Sequence, residues 1–96
     1  MKVDSIISVA IAEDQYDVTL RTNSGNYAIA HCDQFFVIQS VSRVEKQPDN
    51  TFKIVDQYSV IPQECRVAVS KIKNDSNVLN ALLMNGVWNN PNVANA

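Results

Sequence analysis

"YDVTLRTNSGNYAIAHC", residues 16–32, decides the fold. Tyr16, Val18, Leu20 and Thr22 alternate with Asp17, Thr19 and Arg21. Successive side chains of a strand point to opposite sides, so this spacing predicts an extended segment with one apolar face. After Asn23-Ser24-Gly25-Asn26 the alternation resumes, with Tyr27, Ile29 and His31 opposed to Ala28, Ala30 and Cys32. A glycine between two such runs can take the positive φ of a tight hairpin. The stretch predicts two antiparallel strands joined at Ser24-Gly25.

The same pattern extends upstream. Val3, Ser5, Ile7, Val9 and Ile11 alternate with Asp4, Ile6, Ser8, Ala10 and Ala12, and Glu13-Asp14-Gln15 supplies turn residues. This adds a strand and makes residues 3–32 a meander. Lys2, the apolar run and Ala10-Ile11-Ala12 have the outline of a signal segment. Asp4 offsets Lys2 and two serines interrupt the run, so the strand is the expectation.

Downstream, "FFVIQSVSRVEK" (35–46) loses its period near Gln39–Val41, which predicts a bulge or a crossing between sheets. A helix over Asp33–Ser40, capped by Asp33, is the alternative. "QPDN" (47–50) is a turn. "TFKIVDQYSVI" (51–61) puts Phe52, Ile54, Tyr58 and Val60 on one face and stops at Pro62. "RVAVSKIK" (66–73) reads as a last strand whose phase changes at Ile72. Short strands at regular spacing predict a mainly β protein, a small antiparallel barrel or sandwich of five to six strands. One short helix over about 76–85 follows, capped by Asp75 or Ser76, striped by Val78, Leu79, Leu82 and Leu83, and ended by Gly86. The organisation expected is one β-rich domain over 1–88 and a polar, mobile tail over 89–96.

The totals exclude more than they assign. With 96 residues, 46% hydrophobic and 19% charged, the chain suits one thin-cored domain, for which association is a ready source of stability. A formal charge of -2 lacks the basic balance of a nucleic-acid binder. Two cysteines make no disulfide framework, and no apolar run is long enough to cross a bilayer. The expected location is the cytoplasm of a cell or of an infected host cell, with no membrane partner.

The chain's one histidine stands in "AHCD", residues 30–33. A cysteine nucleophile needs a base in hydrogen-bond reach and a group orienting that base. Neighbours on a strand point apart, so His31 and Cys32 form no dyad. His31 can meet Asp33 on its own face, a pair without a nucleophile. No zinc spacing joins His31, Cys32 and Cys65. Glu13, Asp14 and Asp17 form a solvated acidic rim rather than a catalytic carboxylate pair. Lys53, Arg66, Lys71 and Lys73 with Phe52, Tyr58 and Trp88 suggest a single-strand binder, but Phe52 and Tyr58 read as core. No catalytic, cofactor-binding or metal-binding residues are assigned, and no cofactor is expected.

What remains is a non-enzymatic protein–protein interaction module, self-associating as a homodimer or holding another protein. Such a module would be a small inhibitor or structural connector of the kind viruses encode. Its contact residues are expected to be Leu79, Leu82, Leu83, Trp88, Lys71 and Lys73, the apolar stripe and its basic neighbours. The first alternative is a small-molecule binder whose pocket, in the barrel or at a dimer seam, holds Tyr16, Arg21, Tyr27 and His31. The second is a single-stranded nucleic-acid binder.

Overall fold

A computed structural model describes residues 2–86 and 88–89, with the side chains of residues 12, 85, 88 and 89 outside the described set. The elements in chain order are β1 (Val3–Ala12), β2 (Gln15–Thr22), β3 (Tyr27–Cys32), β4 (Ile38–Lys46), β5 (Phe52–Gln57), α1 (Gln63–Asn74), α2 (Ser76–Asn85) and β6 (Trp88–Asn89). The strands form one sheet in the order β5-β4-β3-β2-β1-β6, and every neighbouring pair is antiparallel. The protein is mainly β, with both helices packed on one face.

The sheet is open, so the expected barrel or sandwich is corrected: among the described residues it neither closes on itself nor meets a second sheet. The reason lies in residues 66–73, which are helix and not a last strand. Cys65, Ala68, Val69 and Ile72 are buried along one side of α1, while Val67 is exposed. Spacings of three, one and three residues trace a single helical face. The phase change at Ile72, read as a bulge, is the helical period itself. Glu64 in the first turn and Lys71 and Lys73 in the last complement the helix dipole.

A second helix follows at once. The Asp75 carboxylate accepts from the Asn77 amide at 2.9 Å, and Gly86, at φ 78°, ends α2 with its N–H donating to the Leu82 carbonyl. Such a left-handed residue favours glycine because it carries no Cβ.

Strand register divides the side chains between two faces. Val9, Val18, Ala30 and Val41 lie in one cross-strand row under the helices, and Ile6, Leu20 and Ala28 in the next. With Cys32, Ile38, Cys65, Val69, Ile72, Val78 and Leu82 they form one core. β1 does not alternate strictly as its sequence does. Register shifts between Val3 and Ser5 and between Ile6 and Ser8 let Val3, Ile6, Val9 and Ile11 share the helix side, so Ile6 is fully buried in place of Ile7.

The period break near Gln39–Val41 is a bulge, with Cys32 paired to Ile38 and His31 to Ser40. No helix forms over 33–40. β5 stops at Gln57, so Tyr58 and Val60 leave the strand, and the Tyr58 amide donates to the Val41 carbonyl at 2.9 Å. A shift between Arg43 and Val44 pairs Val44 with Ile54 and Lys46 with Phe52. Among the described residues no helix is long and apolar enough to cross a membrane. Of the mobile tail expected over 89–96, Asn89 instead pairs with Ser5 in β6, and residues 90–96 lie outside the described residues.

Candidate interaction site

At the far end of the β1–β2 hairpin the helix layer leaves a gap. Val9 and Ile11 of β1, Tyr16 of β2 and Leu79, Leu82 and Leu83 of α2 line it, and Phe36 closes it from the β3–β4 loop. The groove has a volume of about 240 Å³. Leu82 forms its buried floor, while Ile11 at 72% and Leu83 at 75% exposure stand on its rim, with Met84 beside them.

The loop that presents Phe36 is tightly built. Asp33 Oδ1 accepts from the Phe35 amide at 2.8 Å and from the Val37 amide at 3.0 Å. The Phe36 amide donates to the Asp33 carbonyl, and the Asp33 amide to the Val37 carbonyl. Closing the loop this way puts Phe36 at φ 60°. A left-handed conformation costs an L-residue about 1–2 kcal/mol. The ring is stacked on Tyr16, with centroids 4.3 Å apart and planes at 16°. Such a stack is worth about 0.5–1.5 kcal/mol beyond the buried area. Asp33, expected to face His31 or to cap a helix, holds this loop instead.

The expected contact residues divide into two neighbouring groups. Leu79, Leu82 and Leu83 converge on the groove. Lys73 lies on the other side of Phe36, in a cavity of about 180 Å³ shared with Arg66 and Val69. Lys71 lines a third, shallower hollow along α1 with Gln63 and Arg66. The Trp88 side chain lies outside the described residues, although its backbone pairs with Ile6.

The expected ligand pocket does not assemble as a unit. Tyr16 points to the helix side, opposite Cys32, whereas Asp17 and His31 pair across the other face, as do Arg21 and Tyr27. Arg21 is exposed.

The helix-free face carries an arrangement the sequence reading missed. His31 Nδ1 is 2.9 Å from Asp17 Oδ1, and His31 Nε2 is 2.9 Å from Ser42 Oγ. With the Nδ1 proton given to Asp17, a neutral ring accepts from the Ser42 hydroxyl. This is the hydrogen-bond order of a nucleophilic triad. The order alone does not make a nucleophile. Ser42 is 5% exposed and sits on β4, between β3 and β5, where strand amides serve the ladder rather than an oxyanion. The three side chains satisfy one another and brace three strands. The expected two-residue turn at Ser24-Gly25 would have set Cys32 against Asp17; the hairpin is centred on Ser24 alone, and that one-residue difference is what brings His31 opposite Asp17.

On the same face Tyr27 and Phe52 meet with ring centroids 5.2 Å apart, tilted by 54°. Phe52 is therefore not core, as the sequence reading had it. Arg21 is the register partner of Tyr27, and Lys46 that of Phe52.

Cys32 and Cys65 are both free and buried in the core. Burial first, and then the nearby carboxylates Asp33 and Asp17, push the Cys32 thiol up to about 11. Burial, helped by Glu64, pushes Cys65 up to about 11 as well. Neither is a thiolate at neutral pH, so neither offers a nucleophile. Among the described residues no three of histidine, cysteine, aspartate and glutamate converge to hold a metal ion.

Comparison with protein-family models, with curated proteins and with solved structures finds no match.

Proposed function

We propose that the chain is a non-enzymatic protein–protein interaction module of the cytoplasm, acting through the groove between α2, the β1–β2 hairpin and Phe36. One observation carries the reading: an apolar groove whose rim side chains, Ile11 and Leu83, stand largely in water. Its size favours a protein partner over a small molecule. Pockets for drug-sized ligands run to roughly 300–1,000 Å³. A groove of about 240 Å³ suits one large apolar anchor from a partner, the usual centre of a binding hot spot. The Asp33 brackets hold Phe36 in place before any partner arrives, so less ordering is needed on binding.

Native mass spectrometry of the protein, purified gently from its own cells, tests this. The expected spectrum shows a protein-sized adduct or a multiple of the chain, lost in Leu83→Asp while the far-UV spectrum is kept. A bare monomer for both proteins overturns the reading.

A second reading, single-stranded nucleic-acid binding, draws on the Tyr27–Phe52 ring pair flanked by Arg21 and Lys46 on an open sheet face. Aromatic rings beside cations are what such binders use. Titration with a fluorescent oligonucleotide decides it: binding that falls with salt and is lost in Phe52→Ala supports it, and no binding at low salt removes it.

A further inference from the structure

We propose that the groove's occupant is a second copy of this chain, docked about a two-fold axis through the apolar stretch of the helix layer. The inference rests on the groove being a protein-binding face and adds the partner and its orientation.

Charge is the first ground. Phe36 lines two cavities, the apolar groove and the smaller one that holds Arg66 and Lys73 of α1. Beside the groove, just past Ile11 and before Tyr16, the hairpin tip carries Glu13 and Asp14, both exposed. α2, a wall of the groove, has no charged residue from Ser76 to Asn85. The acidic tip thus adjoins the groove through Ile11 and Tyr16, and the basic pair adjoins it through Phe36, whose loop amides engage the Asp33 carboxylate. A two-fold interface uses the same patch on both copies, so the patch must complement itself. Turned about its apolar middle, this one does: the Glu13/Asp14 tip of one copy meets Arg66 and Lys73 of the other, twice over. Leu83 and Ile11 then leave water against the facing groove.

Backbone strain is the second ground. Among the described residues, three that are not glycine have positive φ: Glu13, Phe36 and Asn50. Asparagine tolerates that conformation, but glutamate and phenylalanine do so less readily. Both strained residues lie on this face, one in its acidic tip and one in its apolar middle. The two-residue β1–β2 turn itself calls for the positive φ at Glu13; the strain that bears on the surface is that at Phe36, where a loop presents the ring to the groove.

The test is a charge exchange between two variants. One carries Glu13→Lys and Asp14→Lys, the other Arg66→Glu and Lys73→Glu. Each alone sets like charges against each other at both contacts and is expected to self-associate about tenfold more weakly or worse than the wild type. Mixed in equal amounts, they regain opposite charges at both contacts. Native mass spectrometry, which separates the species by mass, is expected to show the mixed dimer restored to near wild-type strength. Far-UV spectra confirm that both variants fold. A mixture that stays monomeric, or a wild type that does not dimerise, overturns the inference. If Leu83→Asp abolishes binding to a different protein while both charge variants bind it normally, the second copy is excluded and the groove reading survives. If Leu83→Asp alters no assembly at all, both fall.

Discussion

Phe36 lies almost flat on Tyr16, 4.3 Å between ring centroids, although its own φ of 60° is one that a phenylalanine rarely adopts. The stack and the strain act against each other in one residue. Replacing the side chain separates them. Phe36→Ala and Phe36→Gly both lose the ring, but alanine keeps the left-handed penalty and glycine does not. Phe36→Gly is expected to be more stable than Phe36→Ala by about 1 kcal/mol in urea unfolding. Equal stabilities, or the reverse order, would show that the backbone there is not strained. Both are expected to bind the partner less well than the wild type, since both open the groove.

Asp33 is the origin of that geometry. Asp33→Ala removes the acceptor for two amides, Phe35 and Val37, and is expected to cost about 1–2 kcal/mol. Affinity for the partner should fall further than stability, because the loop also loses its preset shape. Calorimetry beside thermal unfolding gives both quantities. Loss of stability with affinity intact would place the groove's function elsewhere.

The His31 arrangement is expected to hold strands together and to catalyse nothing. Ser42→Ala leaves His31 Nε2 without its partner and is expected to destabilise by about 1 kcal/mol. A serine-reactive fluorophosphonate should leave Ser42 unlabelled in the folded protein. Labelling at Ser42, abolished in His31→Ala, would make this an active site.

The two thiols set an alkaline limit. Both are raised from the ordinary 9.0 to about 11 in the folded chain. The folded state thus holds these protons more tightly than the unfolded state. Their contribution to stability is complete below pH 9.0 and is lost as pH rises through about 11. Urea unfolding across that window should show the decline, reduced in Cys32→Ala relative to the change at neutral pH. At pH 8 a thiol reagent should modify neither cysteine until the chain unfolds; rapid reaction in the native state would contradict the burial.

Part of this was legible in the sequence. The β1–β2–β3 meander follows from alternation around Gly25, and the break in β4 was placed at its bulge. Asp75 and Gly86 bracket α2 in the structure as in the pattern. α1 was misread because Val67 and Val69 imitate a strand, and because a β-branched residue two places from another says nothing about Cys65 and Ala68 turning with it. The error in α1 carried the architecture with it, since a last strand favours closure and a second helix favours an open, half-covered sheet. In the candidate site, the leucines came from their helical stripe. Ile11, Tyr16 and Phe36 could not join them on paper: the groove depends on where the hairpin end meets α2, and on a loop conformation that phenylalanine itself disfavours. Asp17 and Ser42 reach His31 only through strand register.

The measurement that goes most directly to the groove is amide hydrogen exchange of the assembled protein, compared with the Leu83→Asp monomer. Added protection is expected in the β1–β2 turn around Glu13, in the Asp33–Val37 loop and at the end of α2, and nowhere on the helix-free face. Protection that falls instead on β5 or around Tyr27 and Phe52, with the groove unchanged, would contradict the groove as the binding face.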